Sequence, residues 1–124
     1  MIIDHIRDLD EFAELFKNRP MQTDFYSLDF IVKNPHLYCF YDEETSELLG
    51  FIFLTENKKR LFLSGVSCAV TQHRMTKIKN AILTICNAYK SDIYSDTDLK
   101  HAQYVLRQAG FKRLRKTNIF KRSK

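Results

Sequence analysis

The 124 residues amount to one domain, since domains cluster near about 100 to 150 residues, and two domains within them are excluded. Hydrophobic residues make up 44% and charged ones 28%, enough apolar content to bury a core and exclude a disordered tail. The net charge of +5 hides an asymmetry: residues 1–56 carry 4 Lys/Arg against 12 Asp/Glu (−8), and residues 57–124 carry 16 against 3 (+13).

In one compact fold these halves make an acidic side and a basic side. The basic side attracts phosphates of a cofactor or nucleic acid, unless the two sides neutralise each other by contact. No apolar run approaches the roughly 18 residues of a membrane span, and the acidic N-terminal stretch has no signal-peptide apolar region, so a cytoplasmic protein without membrane contact is expected. Cys39, Cys68 and Cys86 each lie inside an apolar run with no C-x-x-C pair, the pattern of buried thiols. His5, His36, His73 and His101 are scattered without ligand spacing, so no metal site is expected.

An opening strand at Met1–His5 precedes a helix capped by Asp8 or Asp10. Its apolar positions Leu9, Phe12, Leu15 and Phe16 recur at spacings of three and four, and it stops near Pro20. A second helix is expected over Asp24–Val32, ending before Asn34-Pro35. Leu37–Tyr41, Leu48–Leu54 and Leu61–Val70 are aromatic and β-branched runs between polar turns, which reads as an antiparallel meander. Met75, Ile78, Ile82, Ile85 and Tyr89 then form an amphipathic stripe, with Lys77 and Lys79 elsewhere on the helix circumference. A strand at Asp92–Ser95, a helix capped by Thr97 or Asp98 and closed by Gly110, and a last strand over Phe111–Phe120 complete the chain.

The resulting order is β-α-α-β-β-β-α-β-α-β. It predicts a single α/β domain over residues 1–124: a mixed sheet with an antiparallel meander, flanking helices and one parallel contact after the long helix. This order resembles the GNAT superfamily of N-acetyltransferases. The segment Asp98–Phe111 is similar to the family's fourth helix and closing Gly-Phe (N-x-x-A-x-x-x-Y-x-x-x-G-F). Ala102, Gly110 and Phe111 match it, while Leu99 and Leu106 replace its Asn and Tyr. Leu48-Leu49-Gly50-Phe51-Ile52 is similar to the family's third strand. Sheets of this family usually have a seventh strand, here expected to be missing or supplied by a second subunit.

The resemblance implies acetyl-CoA as cofactor, held by R/Q-x-x-G-x-G/A through backbone amides at a helix N-terminus. The matching segment is Arg74-Met75-Thr76-Lys77-Ile78-Lys79, so Arg74, Lys77 and Lys79 are the candidate cofactor-binding residues. Lysines stand at both glycine positions. Either they replace amide donors by point charges, or coenzyme A is no longer bound, the reading adopted from sequence. The family's tyrosine acid corresponds to Leu106, and its base on the fourth strand has no counterpart, because residues 57–71 contain no Asp or Glu. Ser64, Ser67 and Cys68 are poor bases, Tyr104 reads as a surface residue, and no catalytic residue is assigned.

Compact proteins of this kind also resemble small internal virion and head-assembly proteins of tailed bacteriophages. The first expectation is therefore a binding or assembly protein, acting on a protein partner or by self-association in host cytoplasm or virion. A divergent N-acetyltransferase acting on an amine is the second. A nucleic-acid binder is the third, using basic segments such as Lys112–Lys116 and Lys121–Lys124, for which protection of a strand edge is the competing account.

Overall fold

The aromatic runs of the middle third build the sheet that organises everything else. The computed structural model describes residues 1–17, 26–67 and 72–124. Its strands are β1 (Ile2–Asp4), β2 (Leu37–Tyr41), β3 (Leu48–Asn57), β4 (Arg60–Ser67), β5 (Ile93–Asp96), β6 (Lys112–Arg113) and β7 (Ile119–Arg122). They form one sheet in the order β1-β2-β3-β4-β5-β7-β6. All neighbours are antiparallel except β4 and β5. That parallel contact follows the longest helix, because only a crossover connection can return a chain to the same edge in the same direction.

The helices are α1 (Leu9–Lys17), α2 (Leu28–Val32), α3 (Gln72–Asn87) and α4 (Lys100–Gln108). On one face, Ile78, Ala81, Ile82, Ile85 and Cys86 of α3 and Leu106 of α4 pack with Phe40, Ile52, Leu54, Leu63, Ile93 and Phe120. On the other, Phe12 and Phe16 of α1 and Ile31 of α2 pack with Cys39, Tyr41, Phe51 and Phe53. Alternation along β2 and β3 sends successive side chains to opposite layers. Both faces are covered, so β3 is buried without a break from Leu48 to Leu54.

Local signals hold where a side chain supplies them. Asp8 Oδ1 accepts from the amides of Asp10 and Glu11 and caps α1. At the end of α4, Gly110 adopts φ +89°, Phe111 N donates to Leu106 O at 2.9 Å and Gly110 N to Arg107 O at 3.1 Å. This paired closure needs the left-handed residue that glycine supplies. At the far end of α3, the Tyr38 and Tyr89 hydroxyls meet at 2.5 Å, with His36 Nδ1 at 3.1 Å from Tyr89, tying the helix to β2.

Several expectations are corrected. The stretch 111–120 is two strands, since it folds back at Leu114–Asn118 into the hairpin β6–β7. The seventh strand is therefore present within this chain and lies between β5 and β6. No glycine or proline marks the turn. Lys116 takes the left-handed conformation (φ 59°), while the Thr117 hydroxyl donates to Leu114 O and accepts from Ile119 N. Ser27 is extended and caps α2 through Phe30 N, so helix begins at Leu28. Helix α4 starts after Leu99 with no side-chain cap; instead Gln103 Nε2 donates to Thr97 O at 2.8 Å. Leu9 is exposed at the first residue of α1. Pro20, Asp24, Cys68 and Val70, where other boundaries and the third thiol were expected, lie outside the described residues. Among the described residues no helix is long and apolar enough to cross a membrane.

Ile82 is 5% exposed in the centre of the α3 layer. Ile82→Ala should lower the free energy of unfolding by about 2 to 5 kcal/mol, measured by denaturant titration, because the α3 stripe is wedged between the sheet and α4.

Candidate functional site

Strand β4 treats its two neighbours unequally. It is in register with β3 from Gly50↔Ser67 to Asn57↔Arg60. With β5 it pairs only at Leu61↔Ile93 and Phe62↔Tyr94. Beyond that point Ser95 and Asp96 pair with Phe120 and Ile119 of β7, and the two strands diverge. Ser95 Oγ donates to Leu63 O at 2.9 Å, a side-chain bond at the fork itself. Past the fork, β4 has a ladder partner among the described residues only on its β3 side, and the divergence leaves a cleft between β4 and β5.

Helix α3 starts at the open end of this fork. It begins at Gln72, well before residue 77, so Arg74, Lys77 and Lys79 all lie within its first turns. The fork and the helix start lie at the same end of the sheet. Lys77 does not lie free across this helix end. Its Nζ is 2.5 Å from Glu43 Oε1 in the β2–β3 turn, and the other carboxylate oxygen is 2.5 Å from the Met1 amino group. These bonds hold the Glu43 carboxyl down to about 2, Lys77 being the larger cause, and Glu43 in turn raises Lys77. In the same turn, Asp42 is lowered by amide bonds from Thr45 and Glu44. Lys79 is half-buried two residues on.

The remaining positions fall as follows. Leu106 is 4% exposed and belongs to the α3/α4 core, so α4 offers no hydroxyl at that place. Tyr104 is on the surface at 42% exposure. Cys39 and Cys86 are buried free thiols on opposite faces of the sheet, pushed up to about 12 and about 11 by burial, which leaves no thiolate for nucleophilic work. Sequence reasoning searched the fourth strand for a carboxylate and missed the one on its diverging neighbour. Asp96 is exposed at the end of β5, on the same side of that strand as Tyr94. The parallel pairing that makes β5 the other wall of the cleft was the signal that could have found it. A groove of about 340 Å³ lined by Glu56, Arg60, Asp92 and Tyr94 lies at the opposite, closed end of the fork.

No protein-family model matches the chain, and no curated protein matches it in sequence. Solved structures do match. Aminoglycoside 6'-acetyltransferase type Ii superposes with a TM-score of 0.67 at 16% identity, over 99% of this chain and 97% of that one. N-acetylglutamate synthase from Neisseria gonorrhoeae, complexed with coenzyme A and N-acetyl-glutamate, gives 0.67 at 13% identity; this chain is 99% covered but spans only 35% of that protein. A GNAT family acetyltransferase from Brucella melitensis in complex with acetyl-CoA gives 0.58 at 15% identity, over 98% and 86% of the two chains. The fold is that of an acyltransferase. More narrowly, this chain has the GNAT acetyltransferase fold, with its seven-stranded sheet and flanking helices.

Two outcomes test this geometry. A Cβ built on Gly65 would stand 2.5 Å from Phe51 O, 2.7 Å from Ile52 Cγ2 and 3.1 Å from Ile52 Cα. Gly65→Ala should therefore cost about 1 to 3 kcal/mol in denaturant titration by forcing β4 off β3. The second concerns pH. A depressed carboxyl stabilises the fold above its ordinary value of 4.5, and this contribution is lost as pH falls through about 2. The stability difference between the native chain and Glu43→Gln should be constant from pH 5 to 8 and close as pH falls from about 4.5 toward 2, read from unfolding midpoints.

Proposed function

We propose that this chain is a divergent N-acetyltransferase that binds acetyl-CoA in the β4–β5 cleft and transfers its acetyl group to a primary amine. The observation that carries this reading is the fork: two register pairs between β4 and β5, then divergence toward the start of α3. The residues present fit the cofactor at two places. Beyond the Leu63 carbonyl, which Ser95 occupies, the β5-facing backbone of Ser64–Ser67 offers hydrogen-bonding groups to an extended ligand, and the α3 N-terminus favours a pyrophosphate. When bound, the cofactor supplies a thioester-activated acetyl group.

Arg74 and Lys79 are assigned to the phosphates. Lys77 reaches them only by exchanging its Glu43 partner for another anion. Asp96 takes the proton of the attacking amine, being the carboxylate that β4 and β5 carry at the open end. The acidic β2–β3 turn, with Asp42, Glu43, Glu44 and Glu47, and Asp96 across the fork draw a cationic acceptor toward the site. Leu106 in place of a tyrosine leaves solvent to protonate the departing thiolate, which makes turnover slow.

A second reading, that the fold binds a ligand or a protein partner without acetyl transfer, is favoured by that same buried Leu106. The virion-assembly role and self-association implied by sequence resemblance belong to it. The two readings separate in one pair of measurements. Acetyl-CoA at 100 times its dissociation constant should stabilise the fold by about 2.7 kcal/mol in a thermal-shift titration. Release of free coenzyme A in the presence of primary amines should fall at least tenfold in Asp96→Asn with the thermal shift unchanged. A shift without release supports the second reading, and no shift at millimolar acetyl-CoA refutes the first.

A further inference from the structure

The closed end of the fork gathers positive charge that the cleft chemistry does not use. The β3–β4 turn places Lys58 and Lys59 beside Arg60 at the start of β4. The start of β4 pairs with the start of β5, which pairs with the end of β7, which pairs with the start of β6. Lys58, Lys59, Arg60, Lys121, Lys124 and Lys112 therefore share one end of the sheet. Residues 60 positions apart in sequence form a row across β4, β5, β7 and β6, about 14 Å long for three strand spacings. Two carboxylates stand among these cations: Asp92, which accepts from Lys124 N at 2.8 Å with Lys121 Nζ at 3.4 Å, and the exposed Glu56 opposite Leu61, which lines the same groove as Lys59 and Arg60, so the row keeps a net positive charge of about four.

Three features of the row bear on what it binds. Lys58 and Lys59 both adopt left-handed backbone (φ 51° and 64°), a turn that asparagine and glycine make with less strain, so the fold keeps lysines where it would be better off without them. Lys112 stands directly opposite Lys121, a like-charge pair that the Asp92 carboxylate beside Lys121 only partly offsets. Arg60 and Lys121 flank the buried Tyr94 ring at 4.9 and 5.7 Å, which holds both cations in place.

We propose that this basic row binds the phosphate backbone of duplex nucleic acid, without reading sequence. At 3.4 Å of helix axis per phosphate on one strand, about 14 Å faces about four phosphates. Charge complementarity selects a polyanion. Among the described residues the exposed large hydrophobics, Ile2, Leu9, Phe30 and Tyr104, all lie off strands β4, β5, β6 and β7, so the row lacks the apolar centre of a protein interface or a membrane-inserting surface. The buried Tyr94 gives no platform for stacking on unpaired bases. The site is at the opposite end of the sheet from the proposed cofactor cleft and stands independently of it.

The test is fluorescence anisotropy of a labelled 20-base-pair DNA duplex with the full chain at salt concentrations from 50 to 200 mM. Four contacts predict a log-log slope near −3.6, a roughly 100-fold loss of affinity over that range. The double variant Lys58→Asn, Lys59→Gly relaxes the turn while removing two charges. It should melt no lower than the native chain and show a slope smaller in magnitude by about 2. Arg115→Ala, on the turn at the other end of β6–β7, should leave the slope unchanged. The proposal is overturned if 100 μM protein leaves the duplex unbound at 50 mM salt, or if the double variant keeps the native slope. Displacement of the duplex by polyglutamate as effectively as by unlabelled duplex would also overturn it, transferring the surface to an acidic protein partner.

Discussion

The structure depends on how β4 divides its pairing between two neighbours. Its whole length is committed to β3, which is itself buried on both faces, so β4 has no freedom to follow β5. Strand β5 is committed to β7 through Ile93–Asp96, and it leaves β4 after two residues. The last shared pair is reinforced by the Phe62–Tyr94 ring contact at 5.6 Å, and the first unshared position by Ser95 donating to Leu63 O. An aromatic contact and one buried hydroxyl thus set where the sheet opens. Helix α3, packed along its length on one face, fixes which end the opening faces.

Opening at one end and closure at the other sort the charges too. The strongly acidic first half contributes the β2–β3 turn to the open end, and the basic second half contributes the β3–β4 turn and the end of β7 to the closed end. The two halves are not simply neutralised by contact. Where they do meet, as at Glu43 and Lys77, the pairing fastens α3 to the meander and removes one lysine from the mouth of the cleft.

What the sequence makes legible follows from the range of the forces involved. The α3 stripe from Met75 to Ile85, the three meander strands, Asp8 as a cap and Gly110 as a helix terminator are set by spacings of at most four residues, and the structure has each of these elements, with Tyr89 falling just past the end of α3. The β6–β7 hairpin is not legible because a lysine takes the position that glycine normally marks, with a threonine hydroxyl closing the turn. The fate of Lys77 is not legible because its partner lies 34 residues away across the sheet. The cleft was hidden for a related reason: a strand's pattern tells that it pairs, and only the topology tells where pairing stops. Asp96 becomes a candidate through that topology alone.

The two described cysteines give the fold a property of a different kind. Cys39 lies in the layer between the sheet and α1/α2, Cys86 in the layer between the sheet and α3/α4, and neither reaches solvent. A thiol-alkylating reagent can attack each only when its own layer opens. These two thiols thus report on opposite sides of the sheet. Comparing the two modification rates would distinguish a molecule that opens as a whole from one that sheds its N-terminal helices while the α3/α4 side stays closed.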